Sequence, residues 1–181
     1  MKKQIFLLPI LMLVFMFTSC TDDSDPVNEE EVITTMTVTL TPDNGGNDVV
    51  LQSRDLDGDG PEDPMITVSG DLTAGTTYSG SIVLLNETED PAENITEEIE
   101  EEDEEHQFFF IAGSGLDVTT SYNDQDENNN PVGLSFTLNA GLASNGDFTV
   151  TLRHDPNKPN NGIIDAGGET DIETTFPIIV Q

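Results

Sequence analysis

From residue 32 onward, apolar side chains recur at every second position, in short runs separated by glycine, asparagine, aspartate and proline. Val32, Thr34, Met36, Val38 and Leu40 form the first run. Leu116, Val118, Thr120 and Tyr122 form another, and Leu134, Phe136 and Leu138 a third. The pattern continues in Phe148, Val150, Leu152 and His154, and closes with Ile172, Thr174, Phe176, Ile178 and Val180. Side chains of an extended chain alternate between two faces, so a period of two marks a strand with one buried side. Residues 48–53, a short segment through Ile66 and Val68, and residues 76–85 add further strands, the last with Tyr78, Ile82 and Leu84 on one face. Phe108, Phe109 and Phe110 stand in succession within residues 106–111 and call for apolar surroundings on both faces. About nine short strands with turn-rich connections predict an all-β domain, an immunoglobulin-like antiparallel β-sandwich. Pro177 has no amide to donate, so the last strand belongs at a sheet edge or a bulge.

One stretch departs from this period. Asp90 is a good N-cap, Pro91 suits the first helical position, and Glu93 completes the spacing of a capping box. Ala92, Ile95 and Ile99 then give a thin apolar stripe, and the run of acids up to Glu105 opposes the last turns. The expectation is one short acidic helix inserted into the sandwich.

The N-terminus reads as a bacterial lipoprotein signal over residues 1–19. Lys2 and Lys3 precede an apolar run from Ile5 to Phe17, and Thr18 and Ser19 lead to Cys20, the only cysteine of the chain. Cleavage before Cys20 leaves its sulfur to carry a diacylglycerol, so the membrane is reached through an N-terminal lipid. Residues 20–31 then form an acidic tether, and residues 32–181 a single domain. The cluster Asp22, Asp23, Asp25 after the cysteine fits an export signal to the cell surface. The expected location is therefore the outer membrane, facing either the outside or the periplasm. With Cys20 acylated, no thiol remains for a disulfide, a thiolate metal site or nucleophilic catalysis.

Charge narrows the partners. All 36 acidic residues follow residue 19, against Arg54, Arg153 and Lys158, a net charge of −33 for residues 20–181. Such a field repels phosphate backbones and excludes nucleic acid. It favours cations, a basic protein surface or a receptor of that character in the outer membrane.

Several phrases carry a resemblance over the whole mature domain: NEEEVITT, RDLDGDGP, NETEDPAENITEEI, DEEHQFFF, NPVGLSFTL, TVTLRHDPNKPN and DAGGETDIETTF. They resemble a family of small flavobacterial outer-membrane lipoproteins, often labelled type 1 periplasmic binding fold proteins. The resemblance implies a lipid-anchored domain and transfers no catalytic residue.

Three groups of residues are candidates for metal chemistry. Asp55, Asp57 and Asp59 alternate, with Gly60 sixth and Asp63 following, as a calcium loop requires, since calcium takes six to eight oxygens and the glycine lets the chain wrap. Ile66 stands where an EF-hand places its closing glutamate, and an acidic hairpin turn is the simpler reading. Asp124, Asp126 and Asn128 repeat the spacing, with Asn129 in the glycine position. His106 and His154, the only histidines, end strands beside Glu105 and Asp155. Two imidazoles with nearby acids suit zinc or another transition metal if the fold brings them together; otherwise they are unrelated histidines at the rim.

No nucleophile elbow, phosphate loop or HExxH helix occurs, and no spacing isolates an acid–base pair. The expected function is a non-enzymatic, lipid-anchored binding or accessory module linked to divalent-cation capture. The alternative is a structural or adhesive surface protein with calcium-stiffened loops. The anchoring expectation is checked directly: Cys20→Ser should release the domain from the membrane fraction, and unchanged membrane association would contradict it.

Overall fold

The computed structural model describes residues 31–58 and 60–181. The expected signal peptide, Cys20 and the expected tether up to residue 30, and Asp59 of the first candidate calcium loop, lie outside the described residues.

Among the described residues, nine strands and two short helices follow in the order β1 (Thr35–Pro42), β2 (Val49–Arg54), β3 (Met65–Val68), β4 (Thr77–Leu85), α1 (Ile95–Glu101), β5 (His106–Ala112), β6 (Val118–Tyr122), β7 (Ser135–Ala140), β8 (Ser144–His154), α2 (Ile163–Ala166) and β9 (Glu169–Val180). They form a six-stranded sheet, β3-β2-β1-β4-β7-β6, and a three-stranded sheet, β5-β8-β9. The strand pairs of both sheets are antiparallel. The all-β sandwich expected from the alternation is what the chain forms.

The inward residues of each run meet between the sheets. Met36, Val38, Leu40, Leu51, Leu84 and Phe136 from the first sheet belong to one apolar core with Phe108, Phe148, Val150, Leu152 and Phe176 from the second. Packing is close enough to demand a glycine: Gly80 pairs with Phe136, and a Cβ at residue 80 would lie 2.5 Å from the Phe136 ring. β9 is an edge strand, as Pro177 required, and its end is covered by the segment at Leu72, whose amide donates to the Ile179 carbonyl.

Three local differences from expectation have physical causes. The first strand begins at Thr35 rather than Val32, and Val32 is exposed. Helix α1 starts at Ile95, because Glu93 exchanges two backbone hydrogen bonds with Asn86 and is held extended until that point. Ile95 and Ile99 are buried as the stripe predicted, whereas Ala92 precedes the helix and is exposed. Helix α2 was not expected; its four residues make one turn, too short to display a helical period, with Asp165 accepting from the Asn161 amide. Among the described residues, no helix is long and apolar enough to cross a membrane.

Candidate metal centre

The site lies at one end of the three-stranded sheet. In the β5–β8 register, His106 pairs directly with His154, which brings the two strand-end histidines face to face. Their rings stand 4.6 Å apart between centroids, at 76° to each other. Both belong to inward positions of their strands, so both are buried, with side-chain exposures of 0% and 7%.

Asp171 arrives by a bulge. Leu152 pairs with Ile172, but the next residue of β8, Arg153, pairs with Thr170, leaving Asp171 as the extra residue of β9. A bulge bends its strand and re-aims the side chain it carries. The odd-numbered residues of β9 beyond this point, such as Thr175 and Pro177, point outward, whereas the Asp171 side chain is only 5% exposed and faces the histidines. Arg153 supports the turn from outside. Its guanidinium donates to the carbonyls of Gly167 and Gly168 and to Thr170 Oγ1. Gly168, at φ 70°, runs so close to β8 that a Cβ would lie 2.2 Å from the His154 carbonyl oxygen.

Glu31 completes the set from the other sheet's side. It precedes β1 by a few residues, and its carboxylate reaches across with a side-chain exposure of 6%. Glu31 Oε1 lies 3.2 Å from His106 Nε2, and Glu31 Oε2 lies 3.6 Å from His154 Nδ1. Asp171 stands 4.0 Å from each of the same two nitrogens. One atom from each of Glu31, His106, His154 and Asp171 falls within 4.8 Å of all the others. Ligand atoms bonded to one tetrahedral ion at about 2.0–2.1 Å stand about 3.3–3.4 Å apart, so the set needs only small movements to close on an ion.

Hydrogen bonding fixes what these atoms offer. His106 Nδ1 lies 3.1 Å from the carbonyl oxygen of Glu102, the residue capping α1, and donates its proton there. In the neutral ring this leaves Nε2 with a lone pair on the side of the carboxylates, the arrangement in which metal-bound histidines are usually held. Among the described residues, neither His106 Nε2 nor Glu31 Oε2 has a hydrogen-bond partner, although both are buried. A second group, Glu105, His154 and Asp155, adjoins the first and shares His154 with it.

The candidate calcium loops are arranged differently. Asp124 accepts from the amides of Gly133 and Ser135, both at 2.7 Å. Asp126 accepts from the amides of Asn128 and Asn130 and from Lys158 Nζ at 3.3 Å. Asn128 donates to Glu104. Asn129 adopts φ 65°, the left-handed conformation its position in the loop called for. Burial alone would raise the Asp126 pKa, but hydrogen bonds from Asn130 and Lys158 together outweigh it and hold the carboxyl below its ordinary value. Lys158 also donates to the Asp103 carbonyl, so an ammonium group already stands where a cation would. In the first loop, Asp57 closes a turn, accepting from the Gly60 and Glu62 amides. Asp55, Asp57 and Asp63 join no cluster of three ligating groups among the described residues.

The histidine pair was thus visible in the sequence as two residue types, while Glu31 and Asp171 were not. Glu31 ends an acidic run that reads as tether, and Asp171 sits on the outward side of the alternation. The double glycine before β9 was the available signal, since paired glycines ahead of a strand mark close backbone approach. Compared with known proteins, the chain matches no protein-family model, no curated protein and no solved structure.

The Lys158–Asp126 pair yields a prediction with a definite sign. Because the folded Asp126 pKa lies below its unfolded value, the stability it confers is complete above that value and is lost as pH falls through the folded pKa. Lys158→Met leaves the carboxylate buried without its partner and should cost about 3 kcal/mol in chemical denaturation at neutral pH. The cost should shrink in acid. A loss that stays the same at every pH would contradict the assignment.

Proposed function

We propose that this domain captures one divalent transition-metal ion, with zinc as the reference, between Glu31, His106, His154 and Asp171. The observation that carries the reading is the convergence of four ligating atoms within 4.8 Å at a buried point, two of them without hydrogen-bond partners among the described residues. Two carboxylates drawn out of water are costly unless neutralised, and a divalent ion with two neutral imidazoles makes the centre neutral. Among the described residues, the lysine and the two arginines are engaged elsewhere. Arg54 pairs with Glu87, Arg153 holds the turn before β9, and Lys158 holds Asp126.

The donor set favours a first-row transition metal over calcium, because imidazole suits zinc, copper, iron and nickel, whereas calcium selects oxygen alone. Four enclosing protein ligands leave no open position for substrate, which supports a non-enzymatic binding module. The acidic surface raises the local concentration of cations around the domain. Cys20 and the resemblance to outer-membrane lipoproteins support an anchored module at that membrane, placed to take metal for a receptor or an uptake system. Calcium-stiffened loops gain less support, since the carboxylates of Asp124 and Asp126 are already engaged.

Titration calorimetry with zinc should give one tight site per chain. A hundredfold excess over the dissociation constant adds about 2.7 kcal/mol, which for a chain of this size raises Tm by about 5–10 °C. His154→Gln and Asp171→Asn should each remove most of that shift. No shift beyond that of sodium at matched ionic strength, or one undiminished in both variants, would overturn the reading.

A further inference from the structure

His154 has two ring nitrogens, and they face different groups. Nδ1 is turned to Glu31 and Asp171 in the buried centre. Nε2 looks the other way, with Asp155 Oδ2 3.8 Å away. Asp155 is 70% exposed at its side chain, and Glu105 beside it is exposed as well. The backbone fixes that pair: the Asp155 amide donates to the Glu105 carbonyl at 2.7 Å, one step beyond the paired histidines. One atom from each of Glu105, His154 and Asp155 lies within 4.8 Å of the others. His154 itself is more than nine-tenths buried, and its Nε2 makes no hydrogen bond among the described residues. A single buried imidazole therefore forms the wall between an enclosed centre and a solvent-facing triad.

We propose that Glu105, Asp155 and His154 Nε2 form an outer loading station, where a divalent transition-metal ion is first captured before it passes to the buried centre. The station rests on the reading of that centre as a metal site. A neutral imidazole carries one lone pair, so His154 serves one station at a time. With the ion outside, Nε2 is the ligand and the Nδ1 proton faces the carboxylates of Glu31 and Asp171. For Nδ1 to take the ion, its proton would leave to the water that the ion sheds, and Nε2 would take one from solvent on the Asp155 side, so the ring stays neutral. Nε2–H then faces Asp155, which orients the loaded ring. One ion is held tightly, and the outer station is vacated when the inner one fills.

The test is the rate of zinc uptake by the full chain, followed in a stopped-flow instrument with a competing zinc-sensitive dye. Glu105→Gln with Asp155→Asn removes both outer carboxylates, and Asn tolerates the φ of 48° that residue 155 adopts. Association should slow by about tenfold, well beyond the effect of lost charge alone, with stoichiometry unchanged at one. Asp48→Asn with Asp71→Asn, which removes the same charge from exposed positions elsewhere, is the control. An association rate unchanged in the first variant, or slowed as much in the control, would overturn the station while leaving the buried centre intact. Wild-type protein that takes up no zinc would overturn both.

Discussion

Beside Leu152 and Arg153 the ladder between β8 and β9 slips by one residue, and the character of this end of the sandwich depends on that slip. Without it, Asp171 would face outward with its odd-numbered neighbours, and two histidines would close an ordinary core. With it, a carboxylate turns inward onto a pair of imidazoles. The slip is held from both sides: Gly168 permits the backbone approach that any side chain would block, and Arg153 ties the preceding carbonyls from outside. Glu31 then adds a second carboxylate from the segment leading into β1 of the opposite sheet. The centre thus joins the beginning of the domain to its last strand.

The chain handles buried acids in two ways. Asp126, almost wholly buried, has its own ammonium in Lys158 and a set of amides from its loop. Glu31 and Asp171 face imidazoles. Both arrangements answer the same cost, since an ionised carboxyl away from water needs a compensating charge or donors. In the first case the compensation is covalently part of the chain, and the result is a fixed structural clamp. In the second, the proposed ion would supply it, and the result would be a site.

Much of the fold was legible because period-two alternation maps directly onto a sandwich with one buried face per strand. The helix start was misplaced by four residues because Asn86 and Glu93 pair across the intervening turn, a contact that caps and prolines do not announce. His106 and His154 were legible as strand ends, but their pairing depends on the β5–β8 register, which β6 and β7 separate in sequence. Asp171 was hidden for a stronger reason: the alternation that correctly placed Ile172, Thr174 and Phe176 assigns it to the wrong face, and only a bulge reverses that. Glu31 looked like tether because it follows two other glutamates and precedes the first regular strand. A local rule is most often broken where a site is built, and here one register slip breaks it.

The central claim is that one ion sits among these four side chains. Anomalous diffraction at the zinc edge, from crystals of zinc-loaded protein, tests it most directly. The account predicts a single strong peak about 2.0–2.1 Å from His106 Nε2, His154 Nδ1 and one oxygen each of Glu31 and Asp171. A strong peak in the Asp55–Asp63 loop with none between the histidines would contradict it, as would His106 and His154 bonded to the two carboxylates with no metal between them.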